Sequence, residues 1–262
     1  MRRISSATVF LSIVVLCCLA PTLRASAGFD PKEYTSPTGK TLLYRIHLPE
    51  DLTPTPMVPL IVFFHGAGER GADNEKQLKH GTSDLLNYAK ETTAPVIILA
   101  PQCPAEQQWV DTPWGADSHN MPKEPSQSMA LVIELMKVTM SQQPVDEQRV
   151  YVTGLSMGGF GTWDILQRLP QILAAAVPIC GGGDTEMAER IKNVPVWAFH
   201  GGMDTAVKTK RSRDMIAAMR AAGGKPKYTE YDGVGHNAWT RTYQNKQVLE
   251  WLFRQRKSEP PK

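Results

Sequence analysis

Gly154-Leu155-Ser156-Met157-Gly158 lies between the strand-like run Arg149-Val150-Tyr151-Val152-Thr153 and the small-residue helix start Gly158-Gly159-Phe160-Gly161. In that setting a G-x-S-x-G pentapeptide demands a strand that bends sharply into a helix, with the serine held at the bend. A serine hydroxyl is a poor nucleophile unless it is presented to a general base, and a strained strand-to-helix turn presents it. The flanking glycines let neighbouring backbone pass where a side chain would collide. The pentapeptide alone would read as a Gly/Ser loop. The strand before it and the partners downstream make it a nucleophile elbow.

Around this elbow, apolar strands alternate with helices from end to end. That alternation predicts an α/β fold, a mainly parallel sheet with helices on both faces. A hairpin is expected from Glu33 to Leu48, turning at Thr38-Gly39. Continuous apolar runs then predict strands at Leu60 to Phe64, Val96 to Ala100, Val150 to Thr153, Ala174 to Ile179, Val194 to Phe199 and Tyr228 to Tyr231. Helices are expected over Ser126 to Gln143, Met157 to Arg168, Lys208 to Ala222 and Lys246 to Gln255, with Met and Trp residues in the core. Two connections exceed what packing needs, Gly66 to about Glu75 and Pro101 to Pro125, and long loops at strand ends are where binding surface is expected. Gly181 to Asn193 is too short for an inserted cap domain, so the serine is expected to face an open groove.

The first 27 residues read as an export signal rather than fold: Arg2-Arg3, an apolar stretch from Ile4 to Ala20, and Ala25-Ser26-Ala27 as a small-x-small cleavage site. Residues 28–262 are then enough for one large α/β domain. Cleavage after Ala27 gives a secreted or periplasmic protein with no stable membrane anchor, and the residues around Cys17-Cys18 do not suit lipoprotein processing. Arg2, Arg3 and Arg24 leave with the signal, so 29 Lys+Arg become 26 against 26 Asp+Glu. A near-neutral mature chain gives no reason to expect nucleic acid or anionic membrane as a partner. Of the two cysteines that stay, Cys103 and Cys180 each follow a strand. With two other strands between them they would stand about 14 Å apart, roughly twice what a disulfide spans, so both read as buried free thiols.

A nucleophilic serine of this type takes an acid and a histidine after it in chain order. His200-Gly201-Gly202-Met203-Asp204 follows a buried strand, which puts Asp204 at the carboxyl edge of the sheet, where it can orient an imidazole. Asp184 and Asp232 compete for the acid's place, and Asp204 fits the order and spacing best. Gly233-Val234-Gly235-His236 hangs His236 over the same edge, whereas His47, His65, His80, His119 and His200 read as structural or surface residues. Two backbone donors would complete the chemistry by holding an oxyanion: Met157 at the helix start and Ala67, with Gly68 as the alternate, in His65-Gly66-Ala67-Gly68. Gln102, Trp109, Trp114 and Trp239 are candidates to line a groove for a bulky ester, since indole faces stack on flat or sugar rings. Packing alone is the competing reading of each tryptophan. The six histidines lack metal-ligand spacing, so no metal is expected, and the chemistry needs no cofactor.

Together, Phe63-Phe64-His65-Gly66-Ala67-Gly68-Glu69-Arg70-Gly71, Ala100-Pro101-Gln102-Cys103-Pro104, the Gly154 to Gly159 elbow with Phe160-Gly161-Thr162-Trp163-Asp164, Val177 to Gly183 and His236-Asn237-Ala238-Trp239 resemble a known group. It is the secreted bacterial "predicted peptidase" branch of the α/β-hydrolases, related to prolyl oligopeptidase catalytic domains, polyhydroxybutyrate depolymerases and feruloyl or acetyl-xylan esterases. The resemblance implies the eight-stranded hydrolase sheet and a Ser156, Asp204, His236 triad. Dienelactone hydrolases share the fold but use cysteine where this chain has Ser156. The expected function is that of a serine carboxylic ester hydrolase acting through an acyl-enzyme on short-chain or carbohydrate-linked acyl esters, its partner being a small-molecule or polysaccharide-linked ester. A serine peptidase of prolyl oligopeptidase type and a non-catalytic binding module on a hydrolase scaffold are the alternatives. Export with cleavage after Ala27 predicts that N-terminal sequencing of the mature protein begins at Gly28; a first cycle reading Met1 would contradict it.

Overall fold

The structure is a computed structural model that describes residues 28–50, 52 and 55–257. The expected export signal, residues 1–27, lies outside the described residues. Among them, no helix is long and apolar enough to cross a membrane.

An opening hairpin pairs β1 (Asp30–Thr35) with β2 (Thr41–His47) antiparallel. Six further strands follow: β3 (Val58–Phe64), β4 (Ile97–Pro101), β5 (Val145–Leu155), β6 (Ala175–Ile179), β7 (Trp197–Gly201) and β8 (Lys227–Tyr231). They form one eight-stranded sheet in the order β1-β2-β4-β3-β5-β6-β7-β8. Pairing is antiparallel between β2 and β4 and parallel from there onward. Every residue of β3, β4 and β6 is buried, the mark of strands covered on both faces.

The period-two alternation of side chains divides the core into two layers. Leu60, Val62 and Phe64 of β3 and Val150 and Val152 of β5 join the layer under α2 (Gln127–Gln142), α3 (Met157–Arg168) and α5 (Lys210–Ala221). Ile61 and Phe63 of β3 and Tyr151 of β5 join the opposite layer, under α1 (Thr82–Glu91) and α7 (Lys246–Arg254). Ser126 caps α2, its Oγ accepting from the Met129 N–H at 3.1 Å. Such a cap stabilises a helix by about 1 kcal/mol. The short α4 (Ala188–Ile191) and α6 (Trp239–Tyr243) complete the set, and no cap domain interrupts the chain between β6 and β7.

Three differences from the sequence reading have local causes. α1 carries only Leu85, Leu86 and Ala89 as a buried apolar stripe among polar residues, a weak periodic signal that sheet packing makes sufficient. β5 starts at Val145 because Val58 at the start of β3 pairs with it before the register shifts. β7 starts at Trp197, since Val196 contributes only an isolated bridge to Ala176.

At the centre, β3 and the elbow meet backbone to backbone. A Cβ on Gly158 would stand 2.0 Å from the Phe64 carbonyl oxygen, and one on Gly154 2.6 Å from the same atom. Both glycines are therefore required by close approach. Gly158→Ala is expected to lower the urea midpoint by an amount equivalent to about 1–3 kcal/mol or more. Gly115→Ala, where an added Cβ meets nothing within 4 Å, should change it by less than about 0.5 kcal/mol. Equal midpoints for the two variants would refute the close-contact account.

Candidate active site

Ser156 sits between β5 and α3 with φ 55° and ψ −120°, a left-handed backbone that L side chains rarely adopt. The surroundings hold it there. Its N–H donates to the Ile179 carbonyl on β6 at 2.9 Å, and its own carbonyl accepts from Gly159 N–H at 2.8 Å. His236 is carried by the loop after β8, which turns at Gly233 (φ 69°) and is tied to the β7 loop by Met203 N–H donating to the Val234 carbonyl at 2.8 Å. Eighty positions apart in sequence, Ser156 Oγ and His236 Nε2 stand 2.8 Å apart, and His236 Nδ1 stands 2.7 Å from Asp204 Oδ2. A carboxylate only accepts, so Nδ1 carries the proton and Nε2 is left to take the Ser156 hydroxyl proton.

The Asp204 side chain has no exposed surface. Burial by itself would raise its carboxyl pKa, but hydrogen bonds from His200, His236 and the Val207 N–H outweigh that and hold it far below the ordinary carboxylate range. Oδ1 accepts from Ala206 N–H at 2.9 Å and Val207 N–H at 3.0 Å, and His200 Nε2 lies 3.2 Å from Oδ2. His200 is thus a second imidazole on the acid. The sequence reading treated it as structural, and the available signal was its position at a strand end four residues before Asp204. Asp184 is engaged elsewhere: its carboxylate accepts from Met121 N–H at 2.8 Å and Glu186 N–H at 2.9 Å. Asp232 is exposed.

Ala67 opens a 3-10 turn, Ala67–Glu69, and Met157 opens α3. First-turn N–H groups have no carbonyl one turn back to accept them, which leaves both available to an oxyanion. The turn packs directly on the elbow, because the Cβ position of Gly66 lies 2.9 Å from Leu155 Cδ1 and 3.6 Å from Ser156 Cβ. His65, 1% exposed, secures it. His65 Nδ1 donates to the Gly66 carbonyl at 2.6 Å while Nε2 accepts from Cys103 N–H at 2.9 Å. Burial pushes its pKa down to about 4, so the ring is neutral.

Two candidate groove residues are corrected. Gln102 is 1% exposed, and its amide is used in binding the 66–75 loop: Oε1 accepts from Asn74 N–H at 2.7 Å, and Nε2 donates to the Glu69 carbonyl at 3.1 Å and Asp73 Oδ1 at 3.0 Å. Trp109 has no exposed surface and donates from Nε1 to the His65 carbonyl at 3.0 Å. Neither can offer a face to a ligand. Trp239 is half-buried beside the candidate triad, its ring edge-on to His236 at 5.1 Å and 89°. Trp114 is half-buried under the Arg70 guanidinium, 5.9 Å from its ring centre.

Cys103 and Cys180 are both buried and free, and β3 and β5 do lie between the strands they follow. Cys180, Asp204 and His236 bring one ligand-type atom each within 4.8 Å of the others. As arranged they bond to protein groups instead. Burial pushes the Cys180 thiol up to about 12, it donates to the His236 carbonyl at 3.3 Å, and His236 Nδ1 is directed at Asp204.

Because folding lowers the Asp204 pKa, its ionised form adds stability at every pH above about 4, the ordinary Asp value. That contribution fades as pH falls through the lower folded-state value. Asp204→Asn is therefore expected to melt below the parent protein by a gap that is constant from about pH 7 to 5 and narrows below about pH 4. Thermal melts across that range check it, and a gap that widens on acidification would contradict it.

The sequence matches the Dienelactone hydrolase family over residues 111–250, a stretch that contains Ser156, Asp204 and His236. The structure is similar to a crystallised thermostable esterase, with 37% identity and a TM-score of 0.81 over 88% of this chain and 64% of that one. A protein of Salmonella typhimurium (strain LT2) bearing a carboxymethylenebutenolidase name is 34% identical over 101 residues, 35% of this chain and 37% of that protein. A ferulic acid esterase, at 18% identity and a TM-score of 0.65, shares the fold. The chain thus spans less than two thirds of the thermostable esterase and of the Salmonella protein. With its eight-stranded α/β-hydrolase sheet and this match over more than half of its length, the chain belongs to the Dienelactone hydrolase family.

Proposed function

We propose that the protein is a serine hydrolase of carboxylic esters that works through an acyl-enzyme on Ser156. The observation that carries this reading is the unbroken chain from Ser156 Oγ to His236 Nε2 at 2.8 Å and from His236 Nδ1 to Asp204 at 2.7 Å. His236 takes the hydroxyl proton as Ser156 Oγ attacks the acyl carbonyl, and the Met157 and Ala67 N–H groups receive the developing oxyanion. Asp204 keeps the ring in the tautomer that accepts at Nε2 and stabilises the imidazolium while it exists. The same ring then gives its proton to the departing alcohol and activates water to release the acid. Family membership and the similarity to a thermostable esterase support hydrolysis of an ester.

Ser156 is half-buried, the His236 side chain is 27% exposed, and among the described residues no cap domain is inserted between β6 and β7. An uncovered site suits short-chain acyl esters, including acyl groups on carbohydrates, presented as small molecules or on a polysaccharide. Export to the periplasm or medium after cleavage behind Ala27 would place the enzyme where such polymers are met.

Turnover of p-nitrophenyl acetate by the parent protein, Ser156→Ala and Asp204→Asn tests the reading. Loss of the nucleophile is expected to lower kcat by roughly a factor of 10⁶, and loss of the acid by about 10⁴. Equal rates in parent and Ser156→Ala, or no labelling of Ser156 by a fluorophosphonate, would end the proposal. Faster cleavage of chromogenic proline peptides than of esters would favour a peptidase instead.

A further inference from the structure

Glu69 ends the 3-10 turn that carries the Ala67 N–H, and its side chain is 8% exposed. Its backbone is pinned on both sides. Glu69 N–H donates to the Gly66 carbonyl at 3.3 Å, and the Glu69 carbonyl accepts from Gln102 Nε2 at 3.1 Å. The carboxylate nevertheless accepts no hydrogen bond among the described residues, its recorded contact being His80 Nε2 at 3.7 Å from Oε1. Oε2 lies 3.0 Å from the Cβ position of Gly66, and that position is itself 3.6 Å from Ser156 Cβ. A nine-tenths-buried carboxylate that accepts no hydrogen bond among the described residues, with His80 at 3.7 Å as its ion-pair contact, therefore stands beside Ser156. The protein leaves this acceptor to be met from outside, by water or by a donor on a ligand.

The neighbouring wall narrows the chemistry of that ligand. His80 packs against Trp239 at 5.8 Å, and Trp239 packs against His236 at 5.1 Å. The Trp239 Nε1–H is also buried and has no acceptor among the described residues. An ammonium would answer the carboxylate but not the indole donor. A hydroxyl both donates and accepts, so hydroxyl-bearing groups suit both vacancies.

On the ester-hydrolase reading above, we propose that Glu69 is a specificity-determining residue, an acceptor that selects esters carrying a hydroxyl close to the scissile bond, with Trp239 as the companion donor. Site groups that need a partner discriminate strongly against analogues lacking it. This is a claim about which ester is chosen, separate from how the ester is cleaved.

Two substrate pairs test it by pH-stat in the parent protein, Glu69→Gln and Glu69→Ala. Methyl lactate against methyl propionate places the hydroxyl on the acyl side, and glycerol monoacetate against propyl acetate places it on the alcohol side. In one pair the parent is expected to favour the hydroxylated ester by about tenfold or more in kcat/KM. Glu69→Gln should cut that ratio severalfold, and Glu69→Ala should bring it close to one. Neither variant should melt far below the parent, since the carboxylate accepts no hydrogen bond among the described residues. Ester turnover with no hydroxyl preference in the parent, or with the same ratio in parent and both variants, would overturn the role of Glu69 alone. A lowered melting point with an unmoved ratio would do the same, marking Glu69 as structural. Absence of turnover on all four esters would overturn the ester reading and this inference with it.

Discussion

The contact between the end of β3 and the elbow after β5 sets the rest of the site. Gly154 and Gly158 let the Phe64 carbonyl come within 2.6 Å and 2.0 Å of where side chains would begin, so the two strand ends are locked at one separation. That separation brings the Ala67 turn beside Ser156 and leaves two helix-start N–H groups free near one hydroxyl. It also forces Ser156 into a left-handed backbone, a strain that the bonds to Ile179 and Gly159 sustain.

The acid is built with the same redundancy. Asp204 is removed from water, which alone would favour its neutral form. Two backbone N–H groups and two imidazoles reverse that preference. His200 thus anchors the carboxylate that orients His236. The same principle, left incomplete, distinguishes Glu69: buried to a similar degree and within the same site, it has no comparable set of donors. The contrast between a fully partnered carboxylate and a poorly partnered one separates a group that serves the protein's own geometry from one that can serve a ligand.

The two long loops after β3 and β4 act as one unit. His65, Gln102 and Trp109 join them through buried hydrogen bonds, which is why residues rich in aromatic and amide character turn inward. Composition suggested a binding surface there. The positions that looked most like contacts are occupied by supports instead, because a loop must first satisfy its own buried backbone groups. What remains at the surface beside His236 is the half-buried ring of Trp239.

Much of this protein is legible in its residues alone. Continuous apolar runs identify the buried strands, and Gly154, Ser156 and Gly158 between a strand and a helix identify the elbow. The order Ser156, Asp204, His236 identifies the groups that the fold brings within 2.8 Å and 2.7 Å of one another. These features are local or follow strand order, so they leave marks in a linear pattern. The roles of His200, His65, Gln102, Trp109 and Glu69 were decided only in three dimensions. Whether a polar side chain finds a partner inside the protein depends on atoms contributed by distant segments, and hydrogen-bond satisfaction has no period along the chain.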